Sequence, residues 1–142
     1  MTVSEVRRPT VYLIAQPTVS RRKAPINLEP LYEHGEVQVV LPMSDSPTFN
    51  PNTCYNVMED RLASFDPEID YLVWAGGDTL AAVFAGMILI NQEEPIWRFR
   101  WLRYERFRNP DGSRTDKGAK YVPVIVDLSD PQTLEEDDRA TA

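Results

Sequence analysis

The stretch from Asp70 to Ile90 constrains the fold more than any other part of this 142-residue chain. Tyr71 to Trp74 is a short apolar run of β-formers, the pattern of a buried strand. Gly76 and Gly77 break it, because glycine alone takes positive φ without steric cost. Asp78 then occupies a helix N-cap position, and Thr79 to Ile90 reads as a helix. Strand, glycine turn and helix make half of an α/β layer. Such a turn is also a place to hold an anion or a nucleotide. Gly76, Gly77, Asp78 and Thr79 are therefore candidate ligand-binding residues, with a plain helix cap as the alternative.

The rest of the chain supplies partners for this unit. Thr10 to Gln16 and Glu36 to Pro42 read as two further strands, and Ile26 to Tyr32 as a helical turn or two anchored by Leu28, Leu31 and Tyr32. Asn50 with Pro51 announces a helix in which Cys54, Val57, Met58, Leu62 and Phe65 form one buried stripe. The helix after Asp78 is apolar nearly all round, which predicts cover on more than one side. Its pairs Ala81/Ala85 and Ala82/Gly86 suggest close packing, offsetting the poor helix propensity of glycine. From Ile96 to Phe107, Trp97, Phe99 and Trp101 alternate with Arg98 and Arg100; a reversal near Leu102 and Tyr104 suggests a bulge or a strand passing from one environment to another. Asn109–Gly112 is a turn, and Lys120–Asp127 returns as an antiparallel strand whose Pro123 places it at an edge or a bulge. The expected architecture is α/β: a small mixed sheet with two main helices and a C-terminal β-hairpin. Residues 1–128 form one domain, and 129–142 an acidic flexible tail.

Charge and composition narrow the chemistry. One cysteine, Cys54, excludes an internal disulfide; it belongs to the buried stripe and reads as an inert core residue. One histidine, His34, leaves no room for a histidine-based zinc site, and surface or capping duty suits it better than catalysis. No catalytic constellation, metal set or cofactor motif emerges. Asp66, Glu68 and Asp70 crowd together and could hold Mg²⁺, but a solvated turn is the preferred reading. Neither a secretory leader nor a membrane span is expected, so the chain reads as soluble and cytoplasmic. Net charge is −7, yet residues 97–120 are basic on an otherwise acidic body. Trp97, Arg98, Arg100, Arg103, Arg106 and Arg108 in that segment are candidate macromolecule-binding residues. Such a strand could stack bases, meet an acidic protein surface, or simply bury its aromatics with its arginines solvated. The loop Ser20–Pro25 is basic too and reads as a solvated connection.

Two resemblances follow from these residues. Gly76-Gly77-Asp78 is similar to the Gly-Gly-Asp-Gly-Thr turn of lipid kinases, NAD kinases and phosphofructokinases, but it lacks the glycine after the aspartate. The chain over residues 11–128 resembles a family of small proteins of tailed bacteriophages. The likeness lies in Tyr32–Pro42, in Asp70–Leu72 running into Gly77-Asp78 and Ala81–Ala85, in Leu102-Arg-Tyr-Glu-Arg106, and in Tyr121–Leu128. It implies origin and fold, and carries over no catalytic residue. The chain departs from the family at its basic loop 20–25 and its longer 109–118 turn.

The expectation is a non-enzymatic phage accessory protein in the cytoplasm of the infected host, binding a host or phage macromolecule in takeover or counter-defence. A nucleotide-binding or nucleotide-sequestering module on the Gly76-Gly77-Asp78 turn is the alternative, and a virion component a further one. A host or phage protein is the expected partner, nucleic acid or a nucleotide a second, and a membrane none.

Overall fold

The computed structural model describes residues 7–16, 28–42, 47 and 49–129, apart from the side chains of 106 and 114–119. The elements are β1 (Thr10–Ala15), a 3-10 helix (Glu29–Glu33), β2 (Glu36–Leu41), α1 (Pro51–Leu62), β3 (Tyr71–Val73), α2 (Thr79–Ile90), β4 (Arg98–Arg108) and β5 (Arg114–Asp127). They build an α/β fold on one five-stranded sheet in the order β2-β1-β3-β4-β5. The first four strands run parallel, and β5 returns antiparallel on β4 as the expected C-terminal hairpin. The basic loop 20–25 and residues 130–142 of the acidic tail lie outside the described residues.

Burial on both faces explains why the inner strands are apolar throughout. On one face Tyr12, Ile14, Val40 and Leu72 pack with Cys54, Met58 and Leu62 of α1 and Ala81, Ala85, Ile88 and Leu89 of α2. On the other, Val11, Leu13, Tyr71, Val73 and Leu102 pack with Leu31 of the 3-10 helix and Tyr121 of β5. Leu31 and Leu28 anchor the 3-10 helix as expected, whereas Tyr32 is exposed. Asn50 precedes α1 without a side-chain capping bond; its carbonyl accepts the Cys54 N–H at 3.0 Å.

Two local expectations are corrected. No bulge lies at Leu102 and Tyr104: the pairing of β4 with β5 is regular from Arg98 to Arg106, the register shifts only between Arg106 and Arg108, and the reversal marks a change of environment along the strand. Phe99 and Trp101 pack on the helical face, while Leu102 and Tyr104 pack on the other, so apolar residues of both parities are needed. Helix α2 is covered on more than one side, as expected, by the sheet and by α1, while the described Val83, Met87 and Ile90 are exposed. Gly86 lies on this open side, where an added Cβ would meet nothing within 4 Å. Ala81 and Ala85 make the close approach; Gly86 does not.

Candidate functional site

The glycine turn leaves β3 through Trp74 and Ala75. Gly76 and Gly77 take φ of 118° and 95°, in the region reserved for glycine. A Cβ on Gly77 would come within 3.0 Å of the Ala15 Cβ and 3.2 Å of the Gln16 carbonyl oxygen, so the turn is pressed against the end of β1. Asp78 caps α2: its Oδ1 accepts the Leu80 N–H at 3.0 Å. Thr79 is exposed. The indole Nε1–H of Trp74 is buried without a hydrogen-bond partner among the described residues.

The sheet gives this turn a particular address. From β1 the chain passes across the 3-10 helix face to β2, and from β3 it passes across the opposite, helical face to β4. The strand order therefore reverses between β1 and β3, and in open α/β sheets ligand crevices lie at the carboxyl ends of the strands beside such a reversal. Gly76, Gly77, Asp78 and Thr79 stand at that point. The Asp78 carboxylate disfavours a bare phosphate there and suits a hydroxyl or a cation.

The arginines of β4 do not form one free basic face. Arg98 is flanked by Asp127 at 3.6 Å and Glu68 at 4.0 Å. Arg103 meets Glu105 at 2.9 Å, and Lys120 lies 3.9 Å from the same carboxylate. Arg108 donates to the Gly112 carbonyl at 3.0 Å. The side chain of Arg106 is outside the described ones. Arg100 is different: its guanidinium lies 4.0 Å over the Tyr71 ring, donates to the Ile69 carbonyl at 3.1 Å and bonds the Tyr71 hydroxyl. These contacts fix its position without a carboxylate partner among the described residues. Arg98 and Arg100 line a shallow cavity of about 160 Å³ with Pro67, Glu68, Phe99 and Ile125. Around this open end of the hairpin Trp97, Ile125 and Leu128 are exposed.

The acidic group before β3 is structural. Asp70 is wholly buried; its Oδ1 accepts from Arg7 Nη1 at 2.6 Å and the Thr10 N–H at 2.9 Å. Its Oδ2 accepts from Arg7 Nη2 at 2.6 Å and the Asp66 N–H at 2.8 Å. Burial opposes ionisation, but Arg7 and the two backbone N–H groups outweigh it and hold the carboxyl below its ordinary value. Asp66 accepts the Glu68 N–H at 2.9 Å. Among the described residues no group of three or more His, Cys, Asp or Glu could hold a metal ion. His34 Nε2 donates to the Tyr121 carbonyl at 2.9 Å, tying the loop before β2 to the edge strand β5.

Against this frame the sequence matches the family described as Phage Pam3 gp32-like protein over residues 9–110, more than half of the chain. The chain belongs to this family. The match begins just before β1 and ends in the hairpin turn, so it takes in the glycine turn, Asp70 and all of β4, while β5 lies beyond it. The match agrees with the phage origin that the sequence patterns imply. Comparison with curated proteins and with solved structures finds no match. No helix among the described residues is long and apolar enough to cross a membrane.

Proposed function

We propose that this member of the phage family is an accessory protein of the infected host's cytoplasm. It acts by binding another protein, of host or phage, through the open end of the β4–β5 hairpin. The observation that carries this reading is the exposure of Trp97 and Leu128, which pair across the open end of the hairpin and so share one face, next to Arg98 in the chain. Tryptophan and arginine dominate interface hot spots, and an apolar centre with a charged rim suits a protein partner. Nucleic acid is the poorer fit. Arg98, Arg103 and Lys120 already have carboxylate neighbours, Phe99 and Trp101 pack on the helical core instead of offering stacking faces, and the chain carries −7.

The test is affinity capture from infected-host lysate with wild-type protein and the variant Trp97→Ser/Leu128→Asp, each checked for a native circular dichroism spectrum. A protein retained by wild type should be lost from the folded variant. Equal retention by both would overturn the reading.

The location of Gly76–Thr79 at the strand-order reversal, close in sequence to the buried Nε1–H of Trp74, favours a second reading: a nucleotide-binding or nucleotide-sequestering module. It expects a nucleotide to raise the melting temperature with and without Mg²⁺, and Thr79→Val to abolish the shift while leaving the Asp78 cap intact. Absence of any shift across nucleotides, cyclic dinucleotides and NAD-derived compounds would remove it.

A further inference from the structure

The sheet is wider than its helical cover. Helices pack about 8–10 Å apart and strands about 4.8 Å, so one helix covers about two strands. Among the described residues α1 lies over β2, and α2 lies over β1 and reaches Leu72 of β3. No third helix follows for β4 and β5 among those residues. Opposite residues of an antiparallel pair share a face. The register therefore puts Trp97 with Leu128, Phe99 with Val126 and Trp101 with Val124 on the helical side. None of the six is fully buried. Phe99 and Trp101 lean on the edge of the core, whereas Val124 and Val126 are half-buried and pack with neither described core. An apolar strip is left uncovered beside α2.

The flank of α2 forms the wall of this strip. Ala81, Ala85 and Ile88 face the sheet, and Phe84 meets Tyr55 of α1. At about 3.6 residues per turn, Ala82 and Gly86 then fall on the flank away from α1, toward the hairpin. A Cβ added at Gly86 would meet nothing within 4 Å. Small side chains on such a flank let a second helix axis come close.

Charge runs along the strip in one direction. The loop from α2 to β4 carries exposed Glu93 and Glu94 at the end where Trp97 stands. At the other end exposed Arg103 and Lys120 share the single carboxylate of Glu105, at 2.9 and 3.9 Å, which leaves positive charge in surplus. Helices carry acids best in the first turn and bases in the last. A helix with its acidic first turn over Arg103 and Lys120 and its basic last turn over Glu93 and Glu94 satisfies both ends. It would run in the same direction as α2.

We infer that the partner presents an amphipathic helix of this charge order, which seats on the strip beside α2 and completes the helical layer. This deepens the proposed function and rests on it. Residues 97 to 103 of an extended strand span about 20 Å, the length of about 13 helical residues. Neither α1 nor α2 has an acidic first turn, so a second copy offers no such helix and the occupant comes from another protein. An apolar helix face laid into an apolar groove is a common mode of recognition, and the charges at its ends set its direction.

The test pans a library of helical peptides on the full chain, with leucine fixed at i, i+3, i+4 and i+7 and the other positions drawn from Glu, Lys, Gln and Ala. Selected peptides should gather Glu in the first turn and Lys in the last. One of them, synthesised, should shift the amide resonances of Val124 and Val126. In proteins with a native circular dichroism spectrum, Val124→Thr/Val126→Thr should weaken its binding about tenfold or more. Gly86→Gln, which favours the helix but fills the wall, should do the same. Arg103→Glu/Lys120→Glu should favour a twin peptide with Lys in the first turn. Selection without this charge order, binding that spares Val124 and Val126, or no selected peptide would overturn the inference. So would a dimer of the full chain that Val124→Thr/Val126→Thr dissolves, or shifts of the same two amides on deleting residues 130–142, since a second copy or the chain's own end would then hold the strip. If lysate capture is lost from Trp97→Ser/Leu128→Asp but survives Gly86→Gln and Val124→Thr/Val126→Thr, helix docking fails while the protein-binding reading stands.

Discussion

Asp70 is the residue on which the base of the sheet converges, for it joins the segment before β1, the first residue of β1 and the turn before β3. Replacing it by Asn keeps the shape but turns one oxygen into an NH₂ that faces two donors, an Arg7 nitrogen and a backbone N–H. Asp70→Asn should therefore cost about 3 kcal/mol, read as a lower urea midpoint at unchanged m-value. The folded carboxyl titrates below its ordinary value. Its stabilisation is then complete above about pH 4 and is lost as pH falls through the folded pKa, so wild type and variant should converge in acid. The sequence displays an aspartate ahead of a buried strand, but nothing local marks Arg7, 63 positions away, as its partner. The acids at 66, 68 and 70 thus read as a solvated turn with a weaker case for Mg²⁺, whereas the innermost is a buried ion-pair acceptor. A similar limit applies to Arg100: alternation places it opposite Phe99 and Trp101, but only the parallel pairing of β3 and β4 sets it over Tyr71.

At the scale of elements, the strands, the two helices and the hairpin were legible because periodicity and turn residues are local signals. Which side of α2 meets the sheet was not, because a nearly uniform apolar helix has no polar face to orient it. The two glycines near this helix should consequently respond in opposite directions. Gly86 has helical surroundings and open space around its missing Cβ, so Gly86→Ala should raise stability by about 1 kcal/mol. Gly77→Ala should destabilise by more than about 1 kcal/mol, since alanine takes its φ of 95° poorly and its methyl would press on Ala15 and Gln16. Chemical denaturation of the two single variants beside wild type checks both signs. The same comparison bears on the candidate site, for it separates a glycine that shapes the turn from one that decorates an exposed helix face. The turn itself was legible as a βα junction; its position at the strand-order reversal was not, because sheet order depends on which strands pair across the whole chain.

For the molecule as a whole, the hairpin does more than extend the sheet. Tyr121 of β5 lies in the core that also holds Leu31 of the 3-10 helix and Leu13 of β1, and His34 fastens its carbonyl. The edge strand is thereby sealed onto the body at Tyr121 and left open toward Ile125, which is why the proposed contact falls at one end of the hairpin. That sealing has a readable consequence at high pH. Burial, reinforced by neighbouring Tyr104, pushes the Tyr121 hydroxyl up to about 12. Burial, with Asp70 second, also raises Tyr12 on the opposite face. In the unfolded chain these phenols lose their protons near pH 10. Between pH 10 and 12 the unfolded state therefore binds fewer protons than the folded one, and stability must fall as pH rises. Urea midpoints measured across this range should decline for wild type and decline less steeply for Tyr121→Phe, which keeps the ring in the core but has no proton to lose. Parallel curves for the two proteins would mean that Tyr121 ionises freely and that the hairpin is not sealed onto this core.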